Sequence, residues 1–203
     1  MPVSVDNLFR SLSLKYQGPF KWKEKLDANF NGVYVIALSQ KFEFDLCHIT
    51  FNQWIKEATT LEIEGKKVTE IQTVKSYLEK FWNKNEIILY IGESTSKNNT
   101  LQKRINQFYI HKVGQKGPHT GGYWLKLLPC LNDVSIYYAK SDRPRETEFK
   151  LLMKFVELSS GKNFYELADF SEYFPFANLK VDILKKHSIK YSTNKNSRYK
   201  TSE

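Results

Sequence analysis

The sequence predicts an α+β fold: a small central antiparallel or mixed β-sheet of about three core strands, flanked by helices, with a helical insertion between the first two strands. Three observations predict it. Val33–Leu38, Ile87–Ile91 and Val134–Ala139 are short runs dense in β-branched and apolar residues, set off by turn or polar residues. Other segments carry apolar residues at helical spacing. No internal repeat and no proline-rich or glycine-rich linker divides the chain, so its 203 residues, 41% hydrophobic, read as a single domain. That domain is expected over 1–190, with a basic, disordered tail over 191–203.

In chain order, Val5 to Lys25 reads as helical or irregular and carries the basic-aromatic stretch Phe20-Lys21-Trp22-Lys23. The first strand, Val33–Leu38, follows the turn signal Asn31-Gly32. An insertion of about 39–86 comes next, with a short helix at Phe51–Glu57 and a turn at Glu64-Gly65-Lys66-Lys67. Its second helix, Thr69–Asn83, has Ile71, Val74, Leu78 and Trp82 at helical spacing. The second strand ends at Gly92, and Glu93–Asn99 reads as a polar loop. Thr100 is placed to cap a helix running to about His111, and Lys112–Gly122 reads as a surface loop rich in Gly, Lys and His. After the third strand, Arg145–Leu158 is a helix with Phe149, Leu152, Met153 and Val156 on one face, closed by Ser159-Ser160-Gly161. A shorter helical piece, Phe164–Phe170, precedes Pro175.

The formal net charge is +9, which favours a polyanionic partner because each neutralised phosphate releases a condensed counterion. Cys47 and Cys130 have no paired ligand spacing and read as buried free thiols of a reducing compartment. The four histidines lack zinc-finger spacing. No apolar run approaches a membrane span and the N-terminus lacks a secretion signal, so a cytoplasmic location with no membrane partner is expected.

Chemistry concentrates at four positions. Gly32-Val33-Tyr34 stands on the first strand and Tyr90-Ile91-Gly92 on the second, and antiparallel pairing would set the two tyrosines on one face. Arg104 falls on the next helix and Glu148 on the helix after the third strand. Taken singly, each is an ordinary residue: a half-buried strand tyrosine, a solvated helix charge. Their order carries the signal.

That order resembles the GIY-YIG nuclease family. The first tripeptide is altered at its middle position, and the second is intact. Arg104 and Glu148 match the family's arginine and glutamate, and Pro175-Phe176-Ala177-Asn178 looks like the Pro-x-x-Asn that often closes the module. The likeness covers about Gly32 to Asn178, interrupted by the insertion. It implies a GIY-YIG-like fold and a metal-dependent endonuclease, with Glu148 holding Mg²⁺ (or Mn²⁺). Arg104 would fork onto the scissile phosphate. Tyr34 would be the base and Tyr90 would orient the water or phosphate, with Asn178 completing the site. Glu146 and Asn163 are the runners-up for Glu148 and Asn178. Members often carry His or Tyr one turn after the arginine; here that position is Phe108, leaving His111, two turns on, or Tyr109 as the auxiliary group.

Lys103, Lys112 and Lys116, with the segments Lys180–Lys190 and Lys195–Lys200, are expected to meet the DNA backbone. No separate reader module is recognisable, which makes the chain most like stand-alone type II restriction endonucleases. A homodimer on palindromic double-stranded DNA and a cognate DNA methyltransferase are the implied partners. A structure-specific or repair-type nuclease is one alternative. A non-catalytic nucleic-acid-binding domain that kept the fold is the other.

Overall fold

A computed structural model of the chain describes residues 1–96, 98–111, 123–167, 173–178, 180–181, 184–185 and 189–193. In chain order the elements are α1 (Val5–Arg10), β1 (Tyr16–Lys21), β2 (Gly32–Leu38), α2 (His48–Glu57), β3 (Ala58–Ile63), β4 (Lys66–Lys67), α3 (Ile71–Glu79), β5 (Ile88–Ser94), α4 (Leu101–Ile110), β6 (Val134–Lys140) and α5 (Pro144–Ser160). Three short strands follow: β7 (Lys180–Val181), β8 (Leu184–Lys185) and β9 (Ile189–Thr193). The architecture is α+β.

The main sheet is antiparallel and has four strands, in the order β1-β6-β2-β5, rather than the three expected. The extra strand is β1, within a region read from sequence as helical or irregular. Its Gly18-Pro19 pair mimics a turn, and its residues are mostly exposed rather than alternating. Both are tolerable because β1 is an edge strand whose register shifts between Gln17 and Phe20.

β2 is central, and every residue in it is buried, which is why it reads as an unbroken apolar run. Alternation along it serves two layers. Tyr34 and Ile36 face a core shared with Leu101, Ile105 and Phe108 of α4 and with α2 and α3. Val33, Val35 and Ala37 face a second core with α1 and α5.

Pro144 starts α5 at a position where its missing N–H costs nothing, and Gly161, in the left-handed region (φ 71°), ends it. Leu151, Leu152, Phe155 and Val156 of α5 are buried on the sheet, each burial stabilising by about 1.5–3 kcal/mol. The expected apolar face included Phe149, but that ring is 37% exposed: the helix is rotated so that Leu151 and Phe155 lead.

The insertion is not purely helical. Between α2 and α3 the β3–β4 hairpin turns at Glu64 and Gly65, both at positive φ (53° and 80°). β9 pairs with β3, making a second sheet, β4-β3-β9. Ordered strand therefore continues to Thr193, across the boundary expected at 190, because the polar stretch Ile189–Thr193 finds its ladder in a segment more than a hundred residues earlier. Residues 194–203 lie outside the described residues. Cys130 is buried as expected, whereas Cys47 is only half-buried; both are free thiols.

Candidate active site

The site is built where β5 ends. The register sets Tyr34 opposite Gly92 and Ile36 opposite Tyr90, so the two tyrosines are diagonal neighbours on one face of the β2–β5 ladder. Their ring centroids lie 5.7 Å apart at 52°. The glycine between them is required. A Cβ on Gly92 would stand 2.6 Å from a Tyr90 ring carbon and 2.8 Å from the Tyr34 hydroxyl. Gly32 is equally constrained, since a Cβ there would run into the Ala139 carbonyl of the neighbouring strand.

Tyr34 is 0% exposed and Tyr90 7%. Burial, first of all, pushes both phenols above their ordinary value, with charge from Glu148 adding and Arg104 opposing. The two hydroxyls are hydrogen-bonded to each other. Of the pair, Tyr90 is the more exposed.

Arg104 sits half-exposed on α4, one turn before Phe108. Its cation acts on Tyr34, Tyr90, Glu93 and Glu148 together. Phe108 is buried and packs its ring 5.7 Å from that of Tyr90 and 5.6 Å from that of Trp22. At the position where a proton-carrying group was sought, this chain has a wall that holds the Tyr90 ring.

Glu148 comes from the opposite side of the sheet. On α5 it precedes Leu151, Leu152 and Phe155 at helical spacing, so it leads the stripe that packs against β2 and β5. Its carboxyl is pushed up to about 8, by burial and then by Glu93, with Arg104 and Arg145 opposing. Glu146, one step off the stripe, is exposed and paired with Lys150 at 2.6 Å.

Two neighbours went unrecognised in the sequence. Glu93 follows the second tripeptide directly; its sequence reads as loop, but β5 runs on to Ser94. Strand alternation turns Glu93 away from the tyrosines and toward α5. One carboxylate oxygen, Oε2, is shielded from solvent and has no hydrogen-bond partner. Arg145, in the first turn of α5, carries charge to both Glu93 and Glu148. The usable signals were strand parity past Gly92 and the i, i+3 spacing of Arg145 and Glu148.

Asn178 sits elsewhere in the construction. Its side chain straddles one residue of β5: Oδ1 accepts from Ile91 N–H at 3.0 Å and Nδ2 donates to Ile91 C=O at 2.8 Å. Ala177 N–H bonds the Leu89 carbonyl at 2.8 Å, so Pro175–Asn178 serves as a substitute strand along the edge of β5. Asn163, the runner-up, caps the short helical turn at Phe164.

His111 was expected to share a helix face with Arg104. Instead α4 stops at Ile110 and His111 is an extended cap residue (ψ 126°), 2% exposed. Its carbonyl accepts from Lys126 Nζ, which also reaches the Tyr109 carbonyl at 3.5 Å. Lys103 is exposed on α4, its Nζ donating to Asn98 C=O at 3.2 Å. Lys112, Lys116 and the loop they belong to lie outside the described residues.

Among the described residues, no three His, Cys, Asp or Glu gather as a metal-binding group, and no helix is long and apolar enough to cross a membrane. A hard divalent cation that keeps most of its waters needs few protein ligands. The shielded, unpartnered oxygen of Glu93 beside Glu148 fits such an ion. No protein-family model, curated protein or solved structure matches this chain.

Proposed function

We propose that this chain is a metal-dependent endonuclease that hydrolyses phosphodiester bonds in double-stranded DNA, as its resemblance to GIY-YIG nucleases implies. The observation that supports this reading most is the gathering of Tyr34, Tyr90, Arg104 and Glu148, from two strands and two helices, at the end of β5. The net charge of +9 adds to it.

Each residue has a task the chemistry requires. Arg104 offers a planar fork of donors to the scissile phosphate and offsets charge that develops as water attacks phosphorus. Glu148 would hold a divalent cation, Mg²⁺ or Mn²⁺. When bound, that ion supplies positive charge to the phosphate oxygens and acidifies a water. Burial keeps both phenols protonated near neutral pH, so the tyrosine pair orients the water or phosphate by hydrogen bonding. Tyr90, the more exposed of the pair, faces the incoming group. Asn178 acts through Ile91, fixing the strand that carries Tyr90.

The biological role follows the same reading. The chain acts as a type II restriction endonuclease that cuts both strands as a homodimer, with a DNA methyltransferase protecting the host sequence. Incubating purified protein with plasmid and phage DNA in Mg²⁺, beside Glu148→Gln, tests it. Discrete fragments that disappear in the variant are expected. Preference for flaps or branches would move the role to repair; tight DNA binding without cleavage would make the domain a non-catalytic binder.

A further inference from the structure

The candidate centre contains one carboxylate that neither the resemblance nor the proposed roles use. Glu93 is the next residue after Gly92 on β5, and its neighbours divide cleanly by face. Tyr90 belongs to the core under α4, while Ile91 belongs to the core under α5 with Leu151, Leu152 and Phe155. Glu93 shares Ile91's parity and so points to the α5 side. From α5, Glu148 leads the stripe that continues through Leu151, Leu152 and Phe155. The end of the strand and the start of the helix stripe thus bring two carboxylates to one spot.

Three further features bear on what sits between them. The Glu93 carboxyl has a hydrogen bond with the Thr95 side chain, yet its Oε2 is shielded and unpartnered, a costly arrangement for a charged acceptor unless a ligand satisfies it. Arg104 and Arg145 act on both carboxylates through space, yet neither forms an ion pair within 4.0 Å of them among the described residues. Glu93 is anchored on a strand whose edge is clamped by Asn178 only as far as Ile91, and β5 pairs through Ser94 with β2 on the other side. The carboxylate is therefore held on rigid backbone, as a ligand must be.

We propose that Glu93 is a second carboxylate ligand of the divalent cation held by Glu148, the cation lying between the end of β5 and the first turns of α5. This rests on the nuclease reading, which supplies the cation at Glu148, and adds to it the second carboxylate. Sharing the ion satisfies the shielded oxygen of Glu93 and relieves repulsion between the two glutamates. Arg104 and Arg145 are then left to the phosphate.

Titration calorimetry with MnCl₂ tests it, on the whole chain and on Glu93→Gln, Glu148→Gln and the control Glu146→Gln. The expected result is a single Mn²⁺ site weakened at least about tenfold by either Glu93→Gln or Glu148→Gln and untouched by Glu146→Gln. Wild-type affinity in Glu93→Gln, with loss in Glu148→Gln, overturns the proposal and leaves the nuclease reading standing. Glu93-dependent Mn²⁺ binding by a protein that cuts no DNA does the reverse. Should Glu93→Gln not fold, Mn²⁺ broadening of amide signals in the unaltered protein decides the matter. Equal broadening at Glu93 and Glu148 supports the shared ion, and broadening confined to α5 overturns it.

Discussion

Asn178 offers the sharpest test of how the site is held. Its amide makes two buried hydrogen bonds to the backbone of a single residue, Ile91, at 3.0 and 2.8 Å. Asn178→Ala removes both partners and leaves the Ile91 N–H and C=O facing an apolar edge. A buried group left unsatisfied costs about 1–3 kcal/mol, so two together destabilise by about 2–4 kcal/mol, a large share of a typical ~5–15 kcal/mol total. Asn178→Asp separates the bonds. The carboxylate still accepts from Ile91 N–H but turns an oxygen toward Ile91 C=O, so near neutral pH it should be no better than alanine. Urea unfolding gives the stability difference, and amide exchange at Ile91 gives its location. The predicted pattern is a loss of about 2–4 kcal/mol in both variants with Ile91 exchange accelerated beyond that of β2. Loss below about 0.5 kcal/mol, or unchanged protection at Ile91, would refute the clamp.

Other outcomes follow from the same geometry. Gly92→Ala places a methyl 2.6–2.8 Å from both tyrosines, so it should displace the rings, cost about 1–3 kcal/mol in urea unfolding and perturb the near-ultraviolet tyrosine signal; an unchanged spectrum would contradict the packing. Gly32→Ala meets backbone rather than a ring, and should leave little folded protein on expression. Glu148 titrates near 8 when folded against an ordinary 4.5, so without divalent cation its ionisation drains stability as pH rises between those values. Glu148→Gln should therefore match the parent at pH 4.5 and exceed it by about 2 kcal/mol at pH 8.5, residual solvent access trimming the full shift; equal stability at both pH values would sink this. Lys126 is pushed down to about 7 by burial and then by Lys23, so the parent should gain on Lys126→Met as pH rises from 7 to 9, read as diverging urea midpoints.

The strands that the sequence reveals are those whose burial is one-sided or complete over several residues. β2 and β6 have neighbours on both sides, and their apolar content shows it. β1 is hidden because an edge strand may carry Gly-Pro and exposed residues. β9 is hidden because its pairing with β3 is long-range and its residues are those of a polar tail. At the site, the order Tyr34, Tyr90, Arg104, Glu148 was legible because each falls on a recognisable element. Glu93 is not legible, because Gly92 reads as the end of a strand, whereas that glycine answers to the tyrosine rings and not to a turn. His111 misled because helix periodicity was extended one residue past the true end of α4. Asn178 was visible as a motif, while its bonds to Ile91 depend on a tertiary contact that spacing cannot reveal.

The central claim is that Arg104 and Glu148 work on one phosphate beside the tyrosine pair. Single-turnover cleavage of a duplex carrying the preferred site, in Mg²⁺, measures it most directly for the parent, Arg104→Lys and Glu148→Gln. Folded variants slowed by about 10²-fold or more are predicted, since lysine cannot reproduce the guanidinium fork on the phosphate and glutamine lacks the charge to hold the cation. A parent that cuts no DNA while folded, or variants that cut at the parent's rate, would contradict the account.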